Sequence, residues 1–211
     1  MYKKVEPFEK YAEKYEEWFE RNRLVYLSEL EALRRHLPKA GSGLEIGVGS
    51  ARFAAPLGIK FGVEPSKSMA KIAKQRGVSV VIGVAEDLPF VCNYFDFALM
   101  VTTICFLNDI EAALKEIKRV LKPKGLLIIG FIDKNSPIGE LYQRHKEDSL
   151  FYKVATFYSV KEVIVYLKRL HFNDFRFTQT IFNNLKDIKD IEQVVDGYGG
   201  GSFVVIVAKN K

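Results

Sequence analysis

The stretch Leu44-Glu45-Ile46-Gly47-Val48-Gly49-Ser50-Ala51-Arg52 sets two glycines directly after an apolar run, with a carboxylate two positions before the first glycine. Glycines at such a turn let the backbone approach a ligand at the carboxyl edge of a sheet. A dinucleotide loop wants a small residue where Arg52 stands, and a carboxylate at Glu45 is unwelcome beside a pyrophosphate. Glu45 suits a ligand with positive charge instead. Glu64 closes a second apolar run in Gly62-Val63-Glu64-Pro65-Ser66, where a carboxylate accepts hydrogen bonds from both hydroxyls of a ribose. S-adenosylmethionine meets both demands, having an ammonium, a sulfonium, a ribose and no phosphate. NAD also offers the ribose.

The elements that must hold these residues follow from periodicity. Phe8, Tyr11, Ala12, Tyr15 and Phe19 recur at three-and-four spacing, and Trp18 widens that face. Leu27, Leu30, Leu33 and Leu37 form a second set that stops at Pro38, so the first forty residues read as two helices before a sheet. Short apolar runs then alternate with helical stretches: Leu44 to Ile46, Ile59 to Val63, Val78 to Val84, Phe95 to Val101 and Leu126 to Phe131, with helices over Ser66 to Arg76 and Glu111 to Leu121. This alternation implies right-handed crossovers and a parallel sheet covered on both faces, an α/β fold. Ser159 and Glu162 form a capping box before a last helix, and strands Phe175 to Ile181 and Ser202 to Ala208 are expected to pair antiparallel.

Three further motifs decide between the ligands: Gly83-Val84-Ala85-Glu86-Asp87-Leu88-Pro89-Phe90, Tyr94-Phe95-Asp96, and Arg119-Val120-Leu121-Lys122-Pro123-Lys124-Gly125. In their order and spacing, over about residues 40 to 131 and more faintly in the tail, the chain resembles the class I S-adenosylmethionine-dependent methyltransferases. The resemblance implies a Rossmann-like, seven-stranded, mostly parallel sheet with the final strand inserted antiparallel. Residues 1–211 are then one methyltransferase domain: a helical cover (1–38), a cofactor-binding core (40–131), a lid or insertion (133–158), and a last helix with a β-hairpin (159–211). It implies S-adenosylmethionine as cofactor, with Glu45, Gly47 and Gly49 around the methionine part and Glu64 and Pro65 at the ribose. Ser66 and Met69 would lie beside the sugar or adenine, Ala85 and Glu86 at the adenine edge, and Thr102 and Thr103 along the cleft that faces the acceptor. Ala51, Val84 and Lys124 depart from the family pattern, and Ser50 to Gly58 is short for a full first helix.

Methyl transfer from a sulfonium needs alignment more than an enzyme nucleophile. Where an acceptor must lose a proton, His145, between the fifth strand and the last helix, is a candidate base, with a solvent-facing lid residue as the plainer reading. Tyr15 is a second candidate. Tyr11, Tyr15 and Trp18 would cover the cofactor or cage a cationic acceptor, with Phe106 after the fourth strand as a further substrate or lid residue, and the helix face the first three share reads equally as packing anchors. Thr102-Thr103-Ile104-Cys105-Phe106 has neither an Asn-Pro-Pro device for base amines nor a Pro-Cys nucleophile, so a small-molecule acceptor is expected rather than nucleic acid, with RNA or protein methylation and a non-catalytic S-adenosylmethionine-binding module as the alternatives. Cys92 and Cys105 both read as core, and no metal site is expected. The 211 residues carry 32 basic and 26 acidic side chains, scattered rather than clustered, which reads as a solvated surface. With 48% hydrophobic residues and no apolar run near the ~20 that span a membrane, the chain is expected to be a cytoplasmic monomer or homodimer.

Overall fold

A computed structural model describes residues 3–211, so the expected helical cover is seen without residues 1 and 2. The cover is three helices rather than two: α1 (Glu6–Lys10), α2 (Ala12–Arg21) and α3 (Arg23–Arg34). The break falls at Tyr11, whose backbone leaves the helical region at φ −127° and ψ 35°. A straight rod could not hold both of its ends, because Glu9 of α1 reaches Ser66 and Ser68 while Tyr15 and Phe19 of α2 face inward.

The core then alternates strands and helices: β1 (Gly43–Ile46), β2 (Phe61–Glu64), α4 (Lys67–Gln75), β3 (Ser79–Ile82), β4 (Phe95–Val101), α5 (Ile110–Val120) and β5 (Leu121–Ile132). After it come α6 (Pro137–Arg144), α7 (Val160–Arg169), β6 (Asn173–Thr180), β7 (Val195–Asp196) and β8 (Phe203–Lys209). The capping box of α7 forms, with Ser159 and Glu162 each accepting from the other's backbone N–H. The sheet order is β3-β2-β1-β4-β5-β8-β6-β7. β1 to β5 pair in parallel, and β8 lies antiparallel between β5 and β6. The strand count is eight, one more than expected, because Val195 and Asp196 extend the β6 edge.

Both faces of the sheet are covered. In β8, Val204, Ile206 and Ala208 pack toward α5 and α7, while Phe203, Val205 and Val207 pack toward α3 and the loop after β1. That two-sided burial makes the strands near-continuous apolar runs. Ser50 to Gly58 forms turns, not a helix. Two departures from the family pattern both fall in the left-handed region where glycine is favoured, Ala51 at φ +64° and Lys124 at φ +66°. Cys105 is buried, but Cys92 is exposed, a correction to its reading as core: it sits in the loop between β3 and β4, beside Val91, which is also exposed. No helix of the described residues is long and apolar enough to cross a membrane.

Candidate functional site

The loop after β1 is shaped by Gly47 and Gly49, both in the left-handed region at φ +66° and +54°. A Cβ on Gly47 would stand 2.4 Å from Thr103 Cγ2, so only glycine admits this close approach of loop and strand end. Thr103 is held there by donating to the carbonyls of Gly47 and Val101 at 3.2 and 3.0 Å. Glu64 sits at the end of β2. Its two oxygens accept the backbone N–H groups of Gly49 at 2.8 Å and Ser66 at 2.9 Å, which ties the loop to the start of α4. Burial pushes the Glu64 carboxyl up to about 7, with those two N–H groups pulling the other way.

These residues line one end of a large cavity at the carboxyl edge of the sheet. About 170 Å³ of it is reachable by the centre of a water molecule, an order of magnitude more than one water needs. Gly47, Gly49, Glu64, Pro65, Met69, Ala85, Glu86, Thr102 and Thr103 are on its wall, and so are Tyr15, Trp18 and Phe106. Glu45 and Ser66 are not. Glu45 is buried behind the loop with Oε2 unpartnered, and burial, with the charge of Glu64 adding, holds its carboxyl well above the usual range. Ser66 caps α4, accepting from Met69 N–H and donating to Glu9 at 2.7 Å. Glu86 turns one oxygen to the backbone N–H groups of Asn108 and Asp109, at 2.7 and 3.3 Å.

Besides Glu45 and Ser66, two further sequence expectations are corrected. Tyr11, at the helix break, is 37% exposed and does not line the cavity, and His145, after the last turn of α6, is exposed and does not line it either. Tyr11 was placed on the site by a helix periodicity that runs across the break, and His145 by its position between the fifth strand and the last helix.

The other end of the cavity is built from residues the sequence reading passed over: Glu29 and Val25 of α3, Tyr142 of α6, Phe151, Tyr152 and Ile181. An aromatic cluster joins the two ends. Phe8 packs on Phe106 at 4.9 Å and on Phe151 at 5.2 Å between ring centres, and Tyr142 stacks on Tyr152 at 4.8 Å. The one signal for Glu29 is the spacing Val25, Glu29, Leu33, four apart on a buried face; reading the helix by its leucines hid it. Thr102 and Ile181, both on the wall, hold positive φ values of 48° and 63°, costly for a β-branched residue. Strain of this kind collects where a site over-determines its backbone.

The residues fit S-adenosylmethionine on two structural grounds. The glycines leave the loop without Cβ atoms where the wall is closest, and Glu64 keeps lone pairs free at the cavity after accepting two N–H groups.

A family model for a methyltransferase domain matches residues 44–129. An uncharacterized protein of Methanocaldococcus jannaschii is 51% identical, over 96% of this chain and 98% of its own length. The crystal structure of a Thermotoga maritima protein, "SAM-dependent methyltransferase, possible histamine N-methyltransferase", is 49% identical and superposes with a TM-score of 0.96, covering 99% of this chain and all of that one. A 2-phytyl-1,4-naphtoquinone methyltransferase of Trichormus variabilis is 32% identical over 60% of this chain and 59% of its own.

Proposed function

The chain belongs to the class I S-adenosylmethionine-dependent methyltransferases, and from that premise we propose that it methylates a small molecule taken into the cavity between the β1 loop and the N-terminal helices. When bound, S-adenosylmethionine supplies a methyl group on a sulfonium, and a lone pair of the acceptor forms the new bond as the carbon–sulfur bond breaks with its electrons returning to sulfur. The observation that carries the reading is the shape of the cavity. One end has the glycine loop and Glu64, with the Tyr15 hydroxyl beside Gly49; the rest is walled by Phe8, Phe106, Tyr142, Phe151 and Tyr152.

In this reading Gly47 and Gly49 border the methionine part, Glu64 accepts from the ribose hydroxyls, and Met69, Ala85 and Glu86 flank the adenine. The chain's own contribution to rate is alignment and exclusion of water by the aromatic wall, since the leaving sulfur departs neutral and needs no acid. The concave, largely aromatic lining favours a small acceptor over RNA or protein, which would need an open groove at this site.

The test is calorimetric binding of S-adenosylhomocysteine followed by turnover of S-adenosylmethionine with panels of small amines, phenols and quinols. Binding lost in Glu64→Ala, with turnover on at least one panel, supports the reading. Turnover confined to RNA or protein substrates would overturn it.

A further inference from the structure

Among the charged residues on the cavity wall, Glu29 stands apart. Among the described residues the wall carries three carboxylates, Glu29, Glu64 and Glu86, and one cation, Lys4. Glu64 and Glu86 each accept backbone N–H groups, and Lys4 Nζ is committed to the Leu107 carbonyl at 2.6 Å. Glu29 is 4% exposed and, among the described residues, nothing donates to it: no hydrogen bond and no opposite charge acts on it, only burial. A desolvated carboxylate without a donor is among the costliest arrangements a core can hold, and a helix position four residues from both Val25 and Leu33 would ordinarily be apolar. The hydroxyl-bearing rings of Tyr15, Tyr142 and Tyr152 share the cavity with it and lie close enough for its charge to act on all three.

We propose that Glu29 receives the ammonium group of a small amine, the methyl acceptor of this enzyme, with Tyr15, Tyr142 and Tyr152 as the aromatic walls around the cation. The assignment rests on the reading of this cavity as the methyl-transfer site. A cation is the occupant that supplies what Glu29 lacks, and aromatic faces add to its hold on a desolvated ammonium. A neutral quinol would leave the carboxylate with at most one hydroxyl donor and no counter-charge, so the site discriminates against it.

Glu29 has a second task. An ammonium has no lone pair, so its nitrogen must give up a proton before it can accept a methyl group. The N–H bond breaks with its electron pair left on nitrogen, and the proton forms an O–H bond to Glu29, whose carboxylate becomes a neutral carboxyl. Burial pushes the free Glu29 carboxyl up to about 8, so near neutrality it is protonated before the ligand arrives. An arriving ammonium displaces that proton to solvent and an arriving neutral amine takes it up, and either route gives the carboxylate–ammonium pair from which the proton passes to Glu29.

The experiment titrates the protein, saturated with S-adenosylhomocysteine, with benzylamine and histamine and with their hydroxyl counterparts, benzyl alcohol and 2-(imidazol-4-yl)ethanol. In the wild type at least one amine binds ~10-fold or more tighter than its alcohol, and Glu29→Gln, of nearly equal shape, abolishes that preference while Glu29→Asp restores part of it. S-adenosylhomocysteine binding is unchanged in both variants, which also reports that they fold. Alcohols bound as tightly as amines, or a preference that survives in Glu29→Gln, would overturn the proposal. Failure of the wild type to bind S-adenosylhomocysteine would sink the underlying site reading instead, before any acceptor is added.

Discussion

Glu9 and Ser66, 57 residues apart in sequence, are joined by a hydrogen bond of 2.7 Å in which the serine hydroxyl donates to the carboxylate. The same carboxylate accepts the N–H and hydroxyl of Ser68, so α1 is fastened to the first turn of α4, directly after the Glu64 strand end. These bonds hold the Glu9 carboxyl below the usual range, the Ser66 hydroxyl foremost. The N-terminal cover is thus latched at the cofactor end of the cavity.

Removing the latch should open the cover without unfolding the core. Glu9→Ala forfeits charge-assisted hydrogen bonds on a half-exposed segment, about 1–2 kcal/mol of closure. Dissociation of S-adenosylhomocysteine in stopped flow should then accelerate about tenfold while Tm falls by only a few degrees. An unchanged off-rate would mean that α1 does not gate the site.

Glu64 gives cofactor binding a pH dependence whose sign is fixed by its environment. The carboxyl titrates near 7 in the free protein, and ribose hydroxyls donate only to lone pairs that the ionised form offers best. Below that pH the site must first lose a proton. The affinity for S-adenosylhomocysteine should be flat above pH ~8 and fall about tenfold per unit well below 7. Calorimetry from pH 5.5 to 9 checks this, and Glu64→Gln should bind weakly with a flat profile; a slope that persists in that variant would assign it elsewhere.

Positive-φ backbone, at Gly47 in the loop and at Lys124 near the start of β5, predicts opposite effects of two exchanges. Gly47→Ala puts a Cβ into Thr103, which its two hydrogen bonds keep from stepping aside, and adds the cost of a positive φ. Together these should cost about 2–4 kcal/mol. Lys124→Gly relieves the same backbone region at an exposed position and should stabilise by roughly 0.5 kcal/mol. Denaturant midpoints that move in the same direction would refute the conformational argument.

What sequence shows and what it hides divides along the range of the interactions involved. The strands are legible because burial on both faces makes each a local apolar run, and the glycine loop is legible because positive φ and close approach demand one residue type. Glu29 carries no such mark. A glutamate inside a helix looks like a solvated face until α6, the segment around Tyr152 and the Ile181 corner close over it, and those arrive more than a hundred residues later. The break at Tyr11 is likewise invisible, having neither glycine nor proline, since it is imposed by the reach of Glu9 to Ser66. Glu45 shows the opposite error. It does stand beside the glycines in sequence, but its side chain is buried behind the loop, off the cavity wall, with one oxygen unpartnered.

The unpartnered state of Glu29 also sets how stability depends on pH. Its carboxyl titrates near 4.5 when unfolded and near 8 when folded, so between those values the folded chain binds the extra proton. Stability is therefore full below pH ~4.5, declines as pH rises, and has lost the whole contribution above about 8, an order-of-magnitude loss of 3–5 kcal/mol. Glu64 and Glu45, raised in the same direction, add to the slope. Glu29→Gln removes only its own share. Thermal melts should find the variant close to wild type at pH 5 and several degrees more stable at pH 9, each kcal/mol being worth about 2–4 °C in a chain of this size. A carboxylate with a hidden donor would give the reverse, since the amide would then lose an interaction at high pH. Gain at pH 9 in the free protein, together with loss of amine binding, is the pairing expected of a group kept at a stability cost for the ligand it receives.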